Sequence, residues 1–483
     1  LLHKKKLFFV GTGPGAIGLV TKRALSVLKK ADLVIFGRFI NPNILFYANS
    51  NAEFIDNISD EEILYKLAND SYKIAVWLTI GDPCFFSKHN RRIEQFSKLS
   101  NLDIEIVPGI SSAIAVPEYS GILISKPDFT DTVTISVGRK VVSGKTACPK
   151  KSDSPTALFF LALDVLKELT QKLLRAGWLP DEPVAIIENG TTENRTIAGK
   201  LAEIADLAKQ NGVSEPALFV CGKESDRKNR FDWFEKKPLF SKRIVVTRPM
   251  PNGLDTIDIL EELGADVIYL PVVKLTRLSF DVDPSGYDLI IFTSAKSVSY
   301  FFEHVKPDSC NGLIASVGQK TADALAKYHI KADIVPDEFS SKALTEKLIA
   351  TGVKGKTILI PGSEMMNPEM SLRLKESGAD VRLLYLYKPE KNRIKWENLI
   401  RKKIDRWKNI DYLMLTSGFT AKMAAEFFDG HLLIKKSLKT VAISKNVGRI
   451  AENLGFKNII VSKEATEESM IKKILDEGDE FED

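Results

Sequence analysis

The C-terminal half of the chain repeats itself, and a repeat limits the folds available more than any single motif does. Ile244-Val-Val-Thr-Arg-Pro249 is echoed by Ile358-Leu-Ile-Pro-Gly-Ser363, and Leu263-Gly-Ala-Asp-Val-Ile268 by Ser377-Gly-Ala-Asp-Val-Arg382. Leu289-Ile-Ile-Phe-Thr-Ser294 is echoed by Tyr412-Leu-Met-Leu-Thr-Ser417, and Ile314-Ala-Ser-Val-Gly318 by Thr440-Val-Ala-Ile-Ser444. Each copy reads β-α-β-β-α-β, with helices predicted at 297–304 and 420–428 directly after the Thr-Ser pairs. The first copy ends near Val335, and the last strand, predicted at 458–461, leads into a closing helix and a frayed acidic end at 477–483. Two similar α/β lobes with a cleft between them are expected.

The N-terminal half shows no such echo. Strands predicted at 7–10, 33–36, 74–78 and 104–107 alternate with helical spacing, as over 20–30, and several finish in Gly/Pro loops, which suits an α/β domain binding its ligand at the strand ends. A lysine-rich stretch over 141–154 loses periodicity before strands resume at 157–163 and 184–187. That stretch reads as a solvated loop between two lobes or as a contact to an anionic substrate. A chain of 483 residues exceeds what one hydrophobic core serves. The expected division is 1–230, an aromatic linker over 231–241 containing Trp233-Phe-Glu235 and Pro238-Leu-Phe240, and 242–483.

The bulk properties exclude several classes of function. The 44% hydrophobic and 27% charged content describes a globular chain, and no apolar run is long enough to span a bilayer. The apolar start at 7–10 enters a glycine turn and reads as a strand, not a signal peptide. The four cysteines are unpaired in spacing and the five histidines form no ligand cluster, so neither a metal nor a disulfide framework is expected and a reduced, cytoplasmic setting is. A net charge of +5 with interleaved acids calls for no nucleic acid and suits an acidic small substrate.

Three loops carry the chemistry of the first half. Gly11-Thr-Gly-Pro-Gly15 follows strand one, but Pro14 lacks an N–H to offer a pyrophosphate, which disfavours a dinucleotide, and no Gly-Lys-Ser/Thr follows to make a triphosphate loop. Gly81-Asp-Pro83 sets the Asp82 carboxylate at a strand end, where it can accept hydrogen bonds from hydroxyl or amino groups. Val107-Pro-Gly-Ile-Ser-Ser-Ala113 sets Ser111 and Ser112 at a helix start, Ser111 reading as an N-cap, a ligand contact or both.

In order and combination these loops resemble the tetrapyrrole (corrin/porphyrin) methylase family, and Pro183-Val-Ala-Ile-Ile-Glu-Asn-Gly-Thr191 is similar to its uroporphyrinogen-III C-methyltransferases. The resemblance implies a two-lobed methylase domain that holds S-adenosyl-L-methionine through Pro14, Gly81, Asp82, Phe85, Ser111, Ser112, Leu161 and Gly190. It implies transfer of two methyl groups to uroporphyrinogen III, giving precorrin-2, and a possible homodimer through this half. Several positions depart from the family pattern: Ala16 for aspartate, Gly37 for the aspartate before the retained Arg38, Phe86-Ser-Lys-His-Asn-Arg-Arg92 for a glycine-rich run, and Ile124-Ser-Lys-Pro127 for Thr-His-Arg. Arg38 is expected on the substrate side. The cationic departures at 88–92 read either as carboxylate ligands or as surface drift.

In the second half the strands end in hydroxyls at helix starts: Thr247 and Arg248, Thr293 and Ser294, Thr416 and Ser417, and Ser316-Val-Gly-Gln-Lys-Thr321 with Gly318, Lys320 and Thr321. Helix N-termini attract anions, so these are candidate carboxylate ligands, with ordinary capping as the alternative for each. Val246-Thr-Arg-Pro249, Leu270-Pro271, Phe292-Thr-Ser-Ala295, Ser316-Val-Gly-Gln-Lys-Thr-Ala322 and Ala465-Thr466 together resemble uroporphyrinogen-III synthase, with departures at Lys296 and Ser444. The resemblance implies cyclisation of hydroxymethylbilane to uroporphyrinogen III with ring D inverted. Tyr387 is either an assistant to departure of the hydroxyl or a packing tyrosine. The rivals are a methylase acting on a later corrin precursor, on rRNA or on a translation factor, and a half that binds ligand without turnover.

Overall fold

The computed structural model describes residues 5–69, 72–126, 131–226, 231–407, 410–429, 435 and 437–479. Pro127, Arg230 at the expected domain end, and the last four residues of the acidic end lie outside them. The chain forms two compact units, one of residues 1–271 with 393–483 and one of residues 272–392.

The first unit opens with β1 (Lys5–Gly11), β2 (Leu33–Phe36), β3 (Glu53–Asp56), β4 (Ile74–Thr79) and β5 (Leu102–Val107). They form a parallel sheet in the order β3-β2-β4-β1-β5. Leu7, Phe9, Val10, Leu33, Val34 and Ile35 are fully buried, as parallel strands covered on both faces require. A second sheet follows: β6 (Val133–Val137), β7 (Thr156–Phe160), β8 (Pro183–Glu188), β9 (Arg195–Lys200) and β10 (Ala217–Gly222), ordered β6-β7-β10-β8-β9. The lysine-rich stretch beside it is structural. Lys151 pairs with the buried Glu182 at 2.6 Å and lies over the Trp178 ring, whose indole N–H donates to the Pro149 carbonyl.

The linker is packed against its surroundings. Phe234 and Leu239 are buried, the Trp233 indole donates to the Glu118 carbonyl, and the Tyr119 ring contacts both Trp233 and Phe234.

The remaining strands are β11 (Arg243–Val246), β12 (Asp266–Tyr269), β13 (Val273–Arg277), β14 (Leu289–Phe292), β15 (Leu313–Ser316), β16 (Thr357–Ser363), β17 (Asp380–Lys391), β18 (Tyr412–Leu415), β19 (Lys439–Ala442) and β20 (Ile459–Val461). In the first unit they form a parallel sheet β12-β11-β18-β19-β20, and in the second unit a sheet β13-β17-β16-β14-β15. Two similar lobes result, but they are not the two successive copies. The echoes match β11 with β16, β12 with β17, β14 with β18 and β15 with β19. Each sheet therefore takes the opening strand pair of one copy and the following strands of the other. Strand edges as alike as Leu289-Ile-Ile-Phe292 and Tyr412-Leu-Met-Leu415, both wholly buried, give the sequence no means of showing which copy pairs with which.

Candidate functional site

In the first unit, three glycine-bearing loops meet. Gly13 and Gly81 exchange backbone hydrogen bonds at 3.2 and 2.7 Å. A Cβ on Gly11 would lie 2.5 Å from the Gly81 carbonyl oxygen, and one on Gly109 only 2.2 Å from the same atom. No other residue fits at this crossing. Asp82 fastens it: one carboxylate oxygen accepts from the backbone N–H of Cys84 and Phe85 at 2.8 and 3.0 Å, the other from that of Gly109 at 3.1 Å. Ser111 caps the helix Ser112–Tyr119 by accepting from the Ala113 N–H, and Gly190 lies so close to Val116 that a Cβ would meet its methyl at 2.4 Å.

These loops line a cavity of about 800 Å³. Pro14, Gly81, Asp82, Phe85, Ser111, Ser112, Leu161 and Gly190 all lie on its wall, and so does Arg38. Phe86, Leu161 and Asn189, also on the wall, hold left-handed backbone angles of φ 53°, 48° and 47°. Such angles cost free energy in residues other than glycine and gather where a ligand is gripped. Phe85 and Phe86 stand exposed, their rings 4.7 Å apart, with Phe86 5.7 Å from Phe160.

The segment that departs from the family pattern is part of this wall: Phe86, Ser87, Lys88, His89 and Arg92 all line it. Arg92 is spoken for, stacked 4.4 Å over Trp77 and paired with Asp60 at 2.6 Å. His89 is buried between Phe9 and Trp77, and its Nδ1 has no hydrogen-bond partner among the described residues. Burial, helped by the Arg92 cation, pushes its pKa down to about 4, so the imidazole is neutral near pH 7. Its sequence signal was only its place inside the departing run.

Sequence reading missed a further part of the wall. Leu399, Lys402 and Lys403 come from the helix Glu397–Trp407, far along the chain. Leu399 and Trp396 pack into the core of the first sheet, Trp396 against Phe46 and Phe54 at 4.8 and 4.5 Å. Beside them the Asn43 amide acts as an extra strand partner to β12, donating to the Val267 carbonyl and accepting from the Tyr269 N–H. Nothing in local periodicity signals a contact across such a span.

In the second unit a smaller cavity of about 350 Å³ brings together Thr293, Ser294, Lys342, Ser363, Arg373 and Tyr387. Tyr387 lies within β17, where a shift in pairing with β16 sets it opposite Ser363. Its phenol is hydrogen-bonded to Ser294 and its ring packs 5.2 Å from Tyr300. Burial holds the phenol pKa above its usual value, against the opposing pull of that hydrogen bond.

The other candidates of this half are distributed as follows. Ser294 and Ser417 cap their helices by accepting from the N–H groups of Ser297 and Thr420 with matching backbone angles, and Gly318 begins a helix without a side-chain cap. Thr247, Ser316 and Thr321 are buried, Thr247 donating to the Met414 carbonyl at 2.5 Å. Arg248 is paired with Glu467. Lys320 is exposed, and Thr416 is half-buried at the end of β18.

Among the described residues no helix is long and apolar enough to cross a membrane, and no group of side chains is placed to hold a metal ion.

Residues 6–205 match the family model of tetrapyrrole (corrin/porphyrin) methylases, and residues 255–472 that of uroporphyrinogen-III synthase HemD. The porphyrin biosynthesis protein HemD of Ruminiclostridium josui is 28% identical over 97% of this chain and 97% of its own. The uroporphyrinogen-III C-methyltransferase of Bacillus subtilis is 27% identical over 61% of this chain and 65% of its own. A siroheme synthase of Salmonella arizonae is 29% identical over 48% of this chain and 53% of its own, so the chain spans about half of that relative's length. The chain therefore joins a member of the tetrapyrrole methylase family, in its N-terminal half, to a member of the uroporphyrinogen-III synthase family, in its C-terminal half, as a bifunctional protein of tetrapyrrole biosynthesis.

Proposed function

We propose that the C-terminal half cyclises hydroxymethylbilane to uroporphyrinogen III with inversion of ring D, and that the N-terminal half methylates this product with S-adenosyl-L-methionine to precorrin-2, toward sirohaem or cobalamin. On this reading the methylase occupies 1–230, the linker 231–241 and the synthase 242–483. The observation that carries it is the gathering of Pro14, Gly81, Asp82, Phe85, Ser111, Ser112, Leu161 and Gly190 on the wall of one cavity. The cavity fits the cofactor in size and lining, with about 800 Å³ bounded by the exposed Phe85 and Phe86 and by Ser111 and Ser112. When bound, S-adenosylmethionine supplies an activated sulfonium methyl, which leaves the protein chiefly a task of alignment.

The chain's own residues meet that task by rigidity. Asp82 ties its own loop to the one at Gly109, the paired Gly13 and Gly81 backbone bonds tie on the first loop, and the left-handed Phe86, Leu161 and Asn189 form part of the cavity wall. In the synthase half, Ser294 and Tyr387 share a pocket, and a phenol kept neutral by burial is a donor suited to a departing hydroxyl. Incubating the purified chain with hydroxymethylbilane and separating the isomers tests the synthase assignment. The type III isomer is expected, and a product consisting only of type I would refute it.

A further inference from the structure

We infer that the synthase half completes the substrate site of the methylase, with Lys402 binding a carboxylate of the tetrapyrrole that the methylase acts on. This rests on the methylase reading above. Leu399, buried in the core of the first sheet, fixes the helix Glu397–Trp407 against the methylase. Positions three and four residues on lie over the same helix face, which is why Lys402 and Lys403 reach the cavity wall beside Leu399.

The two lysines differ in what they do there. Lys403 is held by the buried Asp266 at 2.8 Å. Lys402 is exposed and forms no ion pair among the described residues. Every carboxylate on the wall is already engaged: Asp82 by backbone N–H groups, Glu193 by Arg243 at 3.1 Å, Glu215 by Arg139 at 3.9 Å. Arg38, Lys88 and Lys402 are left as cations on the wall with no carboxylate partner among the described residues. Unmatched cations around a cavity with an aromatic floor suit an apolar macrocycle fringed with acids. One of the three is supplied by the half that makes the ring.

The test compares the full chain with its Lys402→Glu and Lys402→Arg variants, measuring methylation of uroporphyrinogen III at saturating S-adenosylmethionine. Charge reversal at a partly solvated pair predicts a KM for uroporphyrinogen III raised about five- to tenfold, with kcat unchanged. Lys402→Arg retains the wild-type KM, and both variants bind S-adenosylhomocysteine and unfold thermally as the wild type does. A KM unchanged in Lys402→Glu overturns the inference while leaving the methylase reading intact. A wild-type chain that binds S-adenosylhomocysteine but methylates no uroporphyrinogen III overturns both.

Discussion

A Cβ at Gly109 would sit 2.2 Å from a backbone oxygen, which cannot swing aside as a side chain can. Gly109→Ala is therefore expected to lower stability by roughly 1–3 kcal/mol and to weaken S-adenosylhomocysteine binding, as read by calorimetry and titration. Tyr387 presents a different case, because its ring is held by packing and the proposed role falls to its hydroxyl alone. Tyr387→Phe should fold normally and cyclise hydroxymethylbilane roughly 10- to 100-fold more slowly. Since burial raises the phenol pKa, no loss of wild-type rate from its ionisation is expected between about pH 7 and about pH 9. Wild-type kinetics in Tyr387→Phe would reduce the residue to a packing tyrosine. At this scale the sequence was informative wherever a motif states a backbone need, as Gly-x-Gly-Pro-Gly and Gly-Asp-Pro do. It could not show burial, as at Thr247, Ser316 and Thr321, whose hydroxyls follow the same strand-end pattern as the half-buried Thr293 and Thr416.

Among elements, the helix Asn252–Glu262 carries a group whose ionisation bears on stability near neutral pH. Glu261 accepts a hydrogen bond from the Ile17 N–H, so a carboxyl of the synthase half supports the turn that follows the first glycine loop. Burial, with the nearby Asp266 and Asp258 adding to it, pushes its pKa up to about 7 against the pull of Lys403. A raised carboxyl pKa means that the folded state holds the proton more tightly. Below about pH 4.5 both states are protonated and nothing is lost, whereas as pH rises through about 7 the folded state bears the cost of a buried charge. Glu261→Gln keeps an acceptor for Ile17 and removes that cost. The variant is expected to exceed the wild type by on the order of 2 kcal/mol near pH 8, with the advantage vanishing toward pH 4.5. An advantage that does not change with pH would contradict the assignment. Element positions such as 33–36 were legible from apolar runs, since a strand buried on both faces announces itself locally. The docking of Asn43 on β12 was not, because a side-chain amide standing in for a strand leaves no periodic trace.

On the scale of the whole molecule, the repeat revealed that two similar lobes exist but not how the chain threads them. All strands of the sheet β13-β17-β16-β14-β15 fall within residues 272–392, which predicts that this segment, expressed alone, unfolds cooperatively. A chain ending at Ser241 would lose the cover that Tyr269, Trp396 and Leu399 give to the first sheet and its flanking turns. It should melt several degrees below the intact protein's methylase transition in scanning calorimetry. Equal melting would mean that the boundary read from the aromatic linker is also the physical one. The central claim is that one chain both builds the inverted macrocycle and methylates it. Purified protein incubated with hydroxymethylbilane and methyl-labelled S-adenosylmethionine tests it in a single mixture. The account predicts label in a dimethylated type III macrocycle, and a type III product that stays unlabelled, or a type I product alone, would contradict it.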